Sequence, residues 1–264
     1  MGNHPRRTRH ACQQHRRHHG ISTALIALAA LAPGLALSLP AHAGAASKVY
    51  LPKVEYRELE LEFRGGSQDF NGTRQGDGQQ FVFDIGYGVT SRWFTELAVF
   101  YSRAPGEGGQ IEEFKSENIF LLTEPGKHWL DVGLIAEVVH NRAEGLNEIE
   151  FGPLLQTQVG REQFNLNFEF ARELVEGAKT EVGYAWQWKH RGNPAIEFGL
   201  QGFGELGALG DLGRHQAKLG PALFGSLRLP SGHKIKYDGA VLAGVTAGAP
   251  DTTVRFQFEY EMAL

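Results

Sequence analysis

The residues from Val254 to Leu264 alternate without a break. Val254, Phe256, Phe258, Tyr260, Met262 and Leu264 fall on one face, and Arg255, Gln257, Glu259 and Glu261 on the other. A period of two is the period of a strand. At an open sheet edge such a strand would present a row of unpaired backbone groups, whereas a closed barrel pairs its last strand with its first. The pattern therefore predicts a barrel, with the other strands readable upstream.

Eleven more amphipathic runs precede it. The first spans Lys53 to Arg64, with Leu59, Leu61 and Phe63 against Glu58, Glu60 and Glu62. A Gly- and Asp-rich loop follows, Gly65 to Gly78, in which Asn71-Gly72-Thr73 reads as turn chemistry. Strand two sends Phe81, Phe83, Ile85 and Tyr87 one way and Gln80, Val82 and Asp84 the other. Strand three runs from Trp93 to Ser102, and strand four, the least regular, from about Gln110 to Leu122. A tight turn at Glu124-Pro125-Gly126-Lys127 leads to strand five, with Leu130, Val132, Leu134, Ala136 and Val138 on its apolar face. Strand six covers Asn147 to Val159, and strand seven interleaves Phe164, Leu166, Phe168 and Phe170 with Asn165, Asn167 and Glu169. Strand eight carries Val182, Tyr184, Trp186 and Trp188, and strand nine spans Ala195 to Phe203. Strand ten runs from Gln216 to Leu229, its ends blurred by Gly220-Pro221, and strand eleven from Lys234 to Val245.

Connections after strands two, four, six and ten read as short, and those after one, three, nine and eleven as longer. Outer-membrane barrels have that asymmetry, with short turns on the periplasmic side. A soluble sheet could show the same alternation. Large polar side chains on almost every strand suit a watery lumen, and aromatic residues near strand ends suit a lipid-facing girdle. The expected fold is an all-β, transmembrane, antiparallel up-and-down barrel of about twelve strands, over 53–264.

The start of the chain reads as an export leader, 1–43. Five arginines with no acidic residue precede an apolar run, Ile21 to Leu39, that closes on Ala41-His42-Ala43. Pro33, Gly34 and Pro40 within and after that run argue against a membrane anchor of similar length. Residues 44–52 then read as a short periplasmic lead-in. Loss of the leader takes the formal charge from -4 to -9 and removes Cys12, the only cysteine. Neither disulfide nor thiol chemistry is expected of the exported chain, and its acidity gives nucleic acid no foothold.

The last strand resembles the assembly signal of bacterial outer-membrane proteins in Phe256, Phe258, Tyr260, Met262 and Leu264, although that signal closes on Phe or Trp. The hairpin Ile85-Gly86-Tyr87-Gly88-Val89-Thr90-Ser91-Arg92-Trp93-Phe94-Thr95-Glu96-Leu97 resembles a barrel family named for the meta-pathway of phenol degradation. These resemblances imply outer-membrane lipid and the barrel assembly machinery as partners, and passage of small molecules, aromatic ones among them.

Gly202-Phe203-Gly204-Glu205-Leu206-Gly207 has the spacing of a dinucleotide fingerprint, but the short glycine-rich stretch after it is no helix, so a loop is expected. His128, His140, His190, His215 and His233 form no close pair of ligand spacing. His140-Asn141 is the only fragment with a hydrolytic look, and neither Ser102 nor Ser116 sits in a nucleophile elbow. The chain is therefore read as a non-enzyme without metal or cofactor.

The lumen says more. Barrel closure makes Glu58, Glu60 and Glu62 neighbours of Arg255, Glu259 and Glu261. Asp84, Glu148, Glu150, Glu169, Glu181 and Glu197 line other staves, with Lys189, Lys218, Lys234 and Lys236 as scattered counter-charges. Acid outweighs base, which disfavours anions in a narrow tube. Two functions are consistent with this: a pore for small solutes biased against anions, or a closed barrel acting through its Gly65–Gly78 and Glu205–Arg214 loops. No long segment offers itself as a separate plug.

Overall fold

The computed structural model describes residues 44–70, 78–142, 145–213 and 215–264. The leader expected over 1–43, the Asn71-Gly72-Thr73 turn and Arg214 lie outside them. Twelve strands form one closed antiparallel barrel, each paired with its neighbour in sequence and β1 with β12. They are β1 Glu58–Asp69, β2 Gly78–Gly88, β3 Trp93–Arg103, β4 Gln110–Leu121, β5 Asp131–Asn141 and β6 Leu146–Val159. The second half comprises β7 Glu162–Glu173, β8 Glu181–Asn193, β9 Ile196–Ala208, β10 Gln216–Arg228, β11 Lys234–Gly244 and β12 Thr252–Ala263.

The pattern of exposure settles which solvent each face meets. Leu97, Phe198 and Phe258 are 61%, 63% and 51% exposed, while Glu62 and Asp84 are fully buried. A water-soluble domain does the reverse. The apolar face is a continuous outer belt, with Trp93 stacked on Phe120, Phe63 on Phe81 and Phe151 on Phe170. The barrel is thus of the transmembrane kind, with its polar residues turned inward.

The closing seam forms along the whole of both strands, from Glu58 opposite Ala263 to Asp69 opposite Thr252. Glu60 faces Glu261, and Glu62 faces Glu259. The first strand begins later and runs further than the sequence pattern implied, so Gly65 to Asp69 are strand and not loop. The ninth strand likewise continues to Ala208 and takes in Gly202 to Gly207, so the glycine-spaced motif is neither a nucleotide turn nor a loop. The Gly220-Pro221 pair does not end β10. It breaks only the ladder to β11, which passes from Leu219–Ala243 to Ala222–Ala240, while pairing to β9 continues through both residues. Proline has no N–H to give that side, and a Cβ on Gly220 would lie 2.0 Å from the Val241 carbonyl oxygen. The same interruption accompanies Gly152-Pro153 in β6.

The Glu58–Ala263 end of the seam lies at the same rim as the connections 89–92, 160–161, 194–195 and 229–233, which are short, marking the periplasmic end. One connection there is longer than the others. The stretch 122–130 contains the expected tight turn, closed by the Lys127 N–H donating to Glu124 O at 3.2 Å, and then runs on against β6, with the Thr157 hydroxyl donating to the Trp129 carbonyl at 2.6 Å.

Candidate functional site: an occupied lumen

The segment after Ala43 is not a periplasmic lead-in. Ala45, Ala46, Ser47, Val49 and Tyr50 are buried among lumen side chains. Ala46 packs with Val82, Ala98 and Phe100, and Val49 with Ala185, Phe203, Ala222, Phe224, Ala240 and Leu242. Tyr50 completes a third cluster with Ile119, Ile135 and Leu154. The chain passes down the lumen from the level of Gly66 and Lys218 to the periplasmic mouth. It then reverses at Arg57, whose φ of 63° puts it in the left-handed region. That conformation costs on the order of 1 kcal/mol and is fixed by two hydrogen bonds: the Arg57 N–H donates to Gly88 O at 2.8 Å, and the Leu264 N–H to Arg57 O at 2.9 Å.

Side chains of the wall hold this strap by its backbone. Asn167 acts as a surrogate strand, accepting from the Tyr50 N–H at 2.8 Å and donating to the Tyr50 carbonyl at 3.0 Å. The Ala46 N–H donates to Gln80 Oε1 at 3.2 Å, Arg64 Nε donates to Ala46 O at 3.1 Å, and Lys218 Nζ donates to Gly44 O at 2.8 Å. Gly66 permits the close approach, because a Cβ there would stand 2.2 Å from the Ala45 carbonyl oxygen. Within the strap the Lys53 N–H donates to Leu51 O at 2.8 Å, a bond internal to it.

Charge fixes the strap a second time. Lys48 Nζ lies 2.8 Å from Glu62 and 3.2 Å from Glu96, and the Tyr50 hydroxyl donates to Glu117 at 2.8 Å and Glu137 at 3.1 Å. Arg64 pairs with Glu62 and Asp84, and Lys115 lies 2.6 Å from Glu150 and 3.6 Å from Glu137. Phe100 has Arg64 and Lys115 each 5.5 Å from its ring centre. Seven buried carboxylates, Glu62, Asp84, Glu96, Glu117, Glu137, Glu150 and Glu169, thus surround three cations, Lys48, Arg64 and Lys115. Burial alone would lower the pKa of Lys48, but the carboxylates of Glu62 and Glu96 outweigh it and hold the ammonium well above its ordinary value. The Tyr50 hydroxyl is pushed well up, first by burial and then by Glu117 and Glu137.

The residues expected to line the lumen divide by depth. Glu62, Glu169 and Arg255 are buried at the level of the strap or beside it, Arg255 donating to Gln201 at 2.6 Å and pairing with Asp238. Glu58, Glu259 and Glu261 gather at the periplasmic mouth around Lys234 and Lys236. Lys234 lies 3.2 Å from Glu58 and 3.0 Å from Glu261, and Lys236 lies 2.9 Å from Glu259 and also pairs with Glu261. Below the strap they border a vestibule of about 790 Å³, bounded also by Trp129, Gln187 and Lys189. Arg64, Glu96, Lys115 and Glu117 belong to the site although the sequence pattern did not single them out. Three of the four lie on β3 and β4, whose pairing shifts register between Phe100 and Tyr101.

Among the described residues, three carboxylate triplets are tight enough to hold a cation: Glu58–Glu60–Glu261, Glu60–Glu62–Glu96 and Glu137–Glu150–Glu169. Each already has a lysine against it, Lys234 and Lys236, Lys48, and Lys115 respectively. The His140 ring of the His140-Asn141 fragment is engaged by an amide. His140 Nδ1 is 2.8 Å from Asn147 Oδ1, and its cross-strand neighbours are Phe114 and Asn147.

No family model matches the chain, and no curated protein does. Solved structures do. A NanC porin aligns over 77% of this chain and 100% of its own, with a TM-score of 0.52 and 10% identity. The β domain of the Bordetella autotransporter Brka aligns over 78% and 98%, with a TM-score of 0.51 and 14% identity. A KdgM porin in complex with disordered oligogalacturonate aligns over 78% and 99%, with a TM-score of 0.50 and 8% identity. The likeness is one of fold: the closed outer-membrane barrel.

Proposed function

We propose that the protein is a gated outer-membrane channel for small solutes, in which Gly44–Lys53 is the gate and the acidic wall disfavours anions. The observation that carries this reading is how the strap is attached. Wall side chains hold it and no β-ladder does, so it can leave the lumen without opening the barrel. What it would uncover is a wall on which carboxylates outnumber cations, and a field of that sign favours cations and neutral polar solutes. The export leader and the apolar belt support placement in a Gram-negative outer membrane.

Planar-bilayer recording tests the proposal. The purified protein should show infrequent openings. A variant with Lys48–Leu51 replaced by Gly-Ser-Gly-Ser should conduct steadily, with cation selectivity. Aromatic acids and amines, suggested by the hairpin resemblance, belong in the solute panel. The second reading, a barrel permanently closed and serving through its outer loops, is favoured by the depth at which Lys48 and Tyr50 are fixed. A folded strap variant that stays silent would establish that reading, and anion-selective steps would overturn the proposed bias.

A further inference from the structure

Almost every charge around the periplasmic vestibule has an opposite partner. Lys53 lies 3.0 Å from Glu55 and Arg191 2.9 Å from Glu197, and Lys234, Lys236 and Asp238 are paired as above. Two groups that border it stand apart. Among the described residues, Glu60 makes no hydrogen bond and no ion pair, and neither does the ammonium of Lys189, which rests 4.2 Å from the centre of the Phe224 ring. Glu60 is on β1 and Lys189 on β8, with β12, β11, β10 and β9 between them on the shorter way round. The two groups therefore face each other across much of the lumen.

We propose that this vestibule is a binding site for zwitterionic solutes of the short-peptide class, with the solute's ammonium at Glu60 and its carboxylate at Lys189. The site is the inner chamber of the channel proposed above and rests on that reading for its role in passage. A purely cationic solute would satisfy Glu60 and be repelled by Lys189. An anion would satisfy Lys189 and meet Glu60 together with Glu58 and Glu261, whose carboxylates lie beside it. Only a solute carrying both charges at its ends pairs both groups. Strand spacing and tilt put opposite walls of a twelve-stranded barrel roughly 24 Å apart, and inward-reaching side chains leave a gap on the order of 10 Å. An extended chain advancing about 3.4 Å per residue fills such a gap with roughly three residues.

The test is calorimetric titration of the full, detergent-extracted protein with trialanine, its N-acetyl form, its C-terminal amide and the doubly capped peptide. Trialanine should bind, and each single cap should weaken it about tenfold, the loss of one charge-assisted contact of roughly 1.4 kcal/mol. Lys189→Met should bind trialanine and its amide alike, and Glu60→Gln should bind trialanine and its N-acetyl form alike. Retention of heat-modifiable migration shows that each variant is folded. Equal binding of trialanine and the doubly capped peptide, or no binding of either, would overturn the site. Equilibrium binding needs no conduction, so a silent bilayer with this specificity would remove the channel and leave the site.

Discussion

Of the segments that lie against β1, two are held there by different physics. β12 runs along its edge, joined by a ladder that spans both strands. The strap Gly44–Lys53 runs across its inner face, joined by Lys48 to Glu62 and by Arg64, which reaches for the Ala46 carbonyl. A ladder is built from groups that every residue carries, so what β12 requires of its sequence is the alternation that keeps the right face in lipid. The strap requires particular donors and acceptors at particular places. Substitutions should therefore fail in different ways, by loss of assembly in β12 and by loosening of a formed barrel in the strap.

The largest effect is expected at Phe258. It is half-exposed on the lipid face, and Phe258→Asp places a charge in the hydrocarbon near the closing seam. Folded, heat-modifiable protein should fall to background on gels of outer-membrane fractions, and Tyr260→Asp should behave similarly. Normal accumulation of either variant would show that β12 faces the other way. The Gly-Ser-Gly-Ser replacement of Lys48–Leu51 should instead assemble at the level of the unaltered protein, because it touches no ladder.

Next comes Lys48→Met. It leaves Glu62 and Glu96 buried without their shared ammonium, and breaking a buried pair in this way costs about 3 kcal/mol. Urea unfolding followed by tryptophan fluorescence should show that loss. Tyr50→Phe should cost less, about 1–2 kcal/mol, by taking one donor from Glu117 and Glu137.

The pH dependence follows from the same two groups. Both have raised pKa values in the folded barrel, so the folded state keeps protons that the unfolded chain releases above about pH 10. Their contribution is complete below the unfolded values and is lost as pH climbs towards the folded ones. Stability should decline above about pH 10, and less steeply in Lys48→Met and Tyr50→Phe; an unchanged slope in the double variant would mean that other groups govern the decline. The smallest effect is expected at the last residue. Leu264 is exposed and contributes its N–H to Arg57 O, a contact that any side chain allows. Leu264→Phe should leave assembly unchanged or slightly raised in the same gel assay.

What the sequence revealed follows from this difference. Each of the twelve strands carries a period of two, and that period survives Gly220-Pro221 because proline disturbs only one of its two ladders. Where one extra residue, Glu112, intervenes in β4, phase is lost, and Lys115 and Glu117 went unread. The strap has no period. Residues 44–52 read as a short periplasmic lead-in, and their role emerges only once the wall is assembled around them. One trace was present. Inward carboxylates on β3 to β7 outnumber the inward cations that those strands supply, so a cation and a hydroxyl from elsewhere were needed, and Lys48 and Tyr50 provide them.

Occupation of the lumen by the strap is the claim on which the gate and the pH behaviour depend, and a single thiol tests it. Cys12 is the one cysteine of the sequence, so a Cys12→Ser, Ser47→Cys variant carries a single thiol, in the strap. Ser47 is 4% exposed, with its hydroxyl donating to Gly44 O at 2.7 Å. A bulky, membrane-impermeant maleimide should label this cysteine slowly in the folded barrel and rapidly after unfolding in urea. Labelling of the folded protein as fast as that of Glu176→Cys, on the exposed connection between β7 and β8, would place the strap outside the barrel and contradict the account.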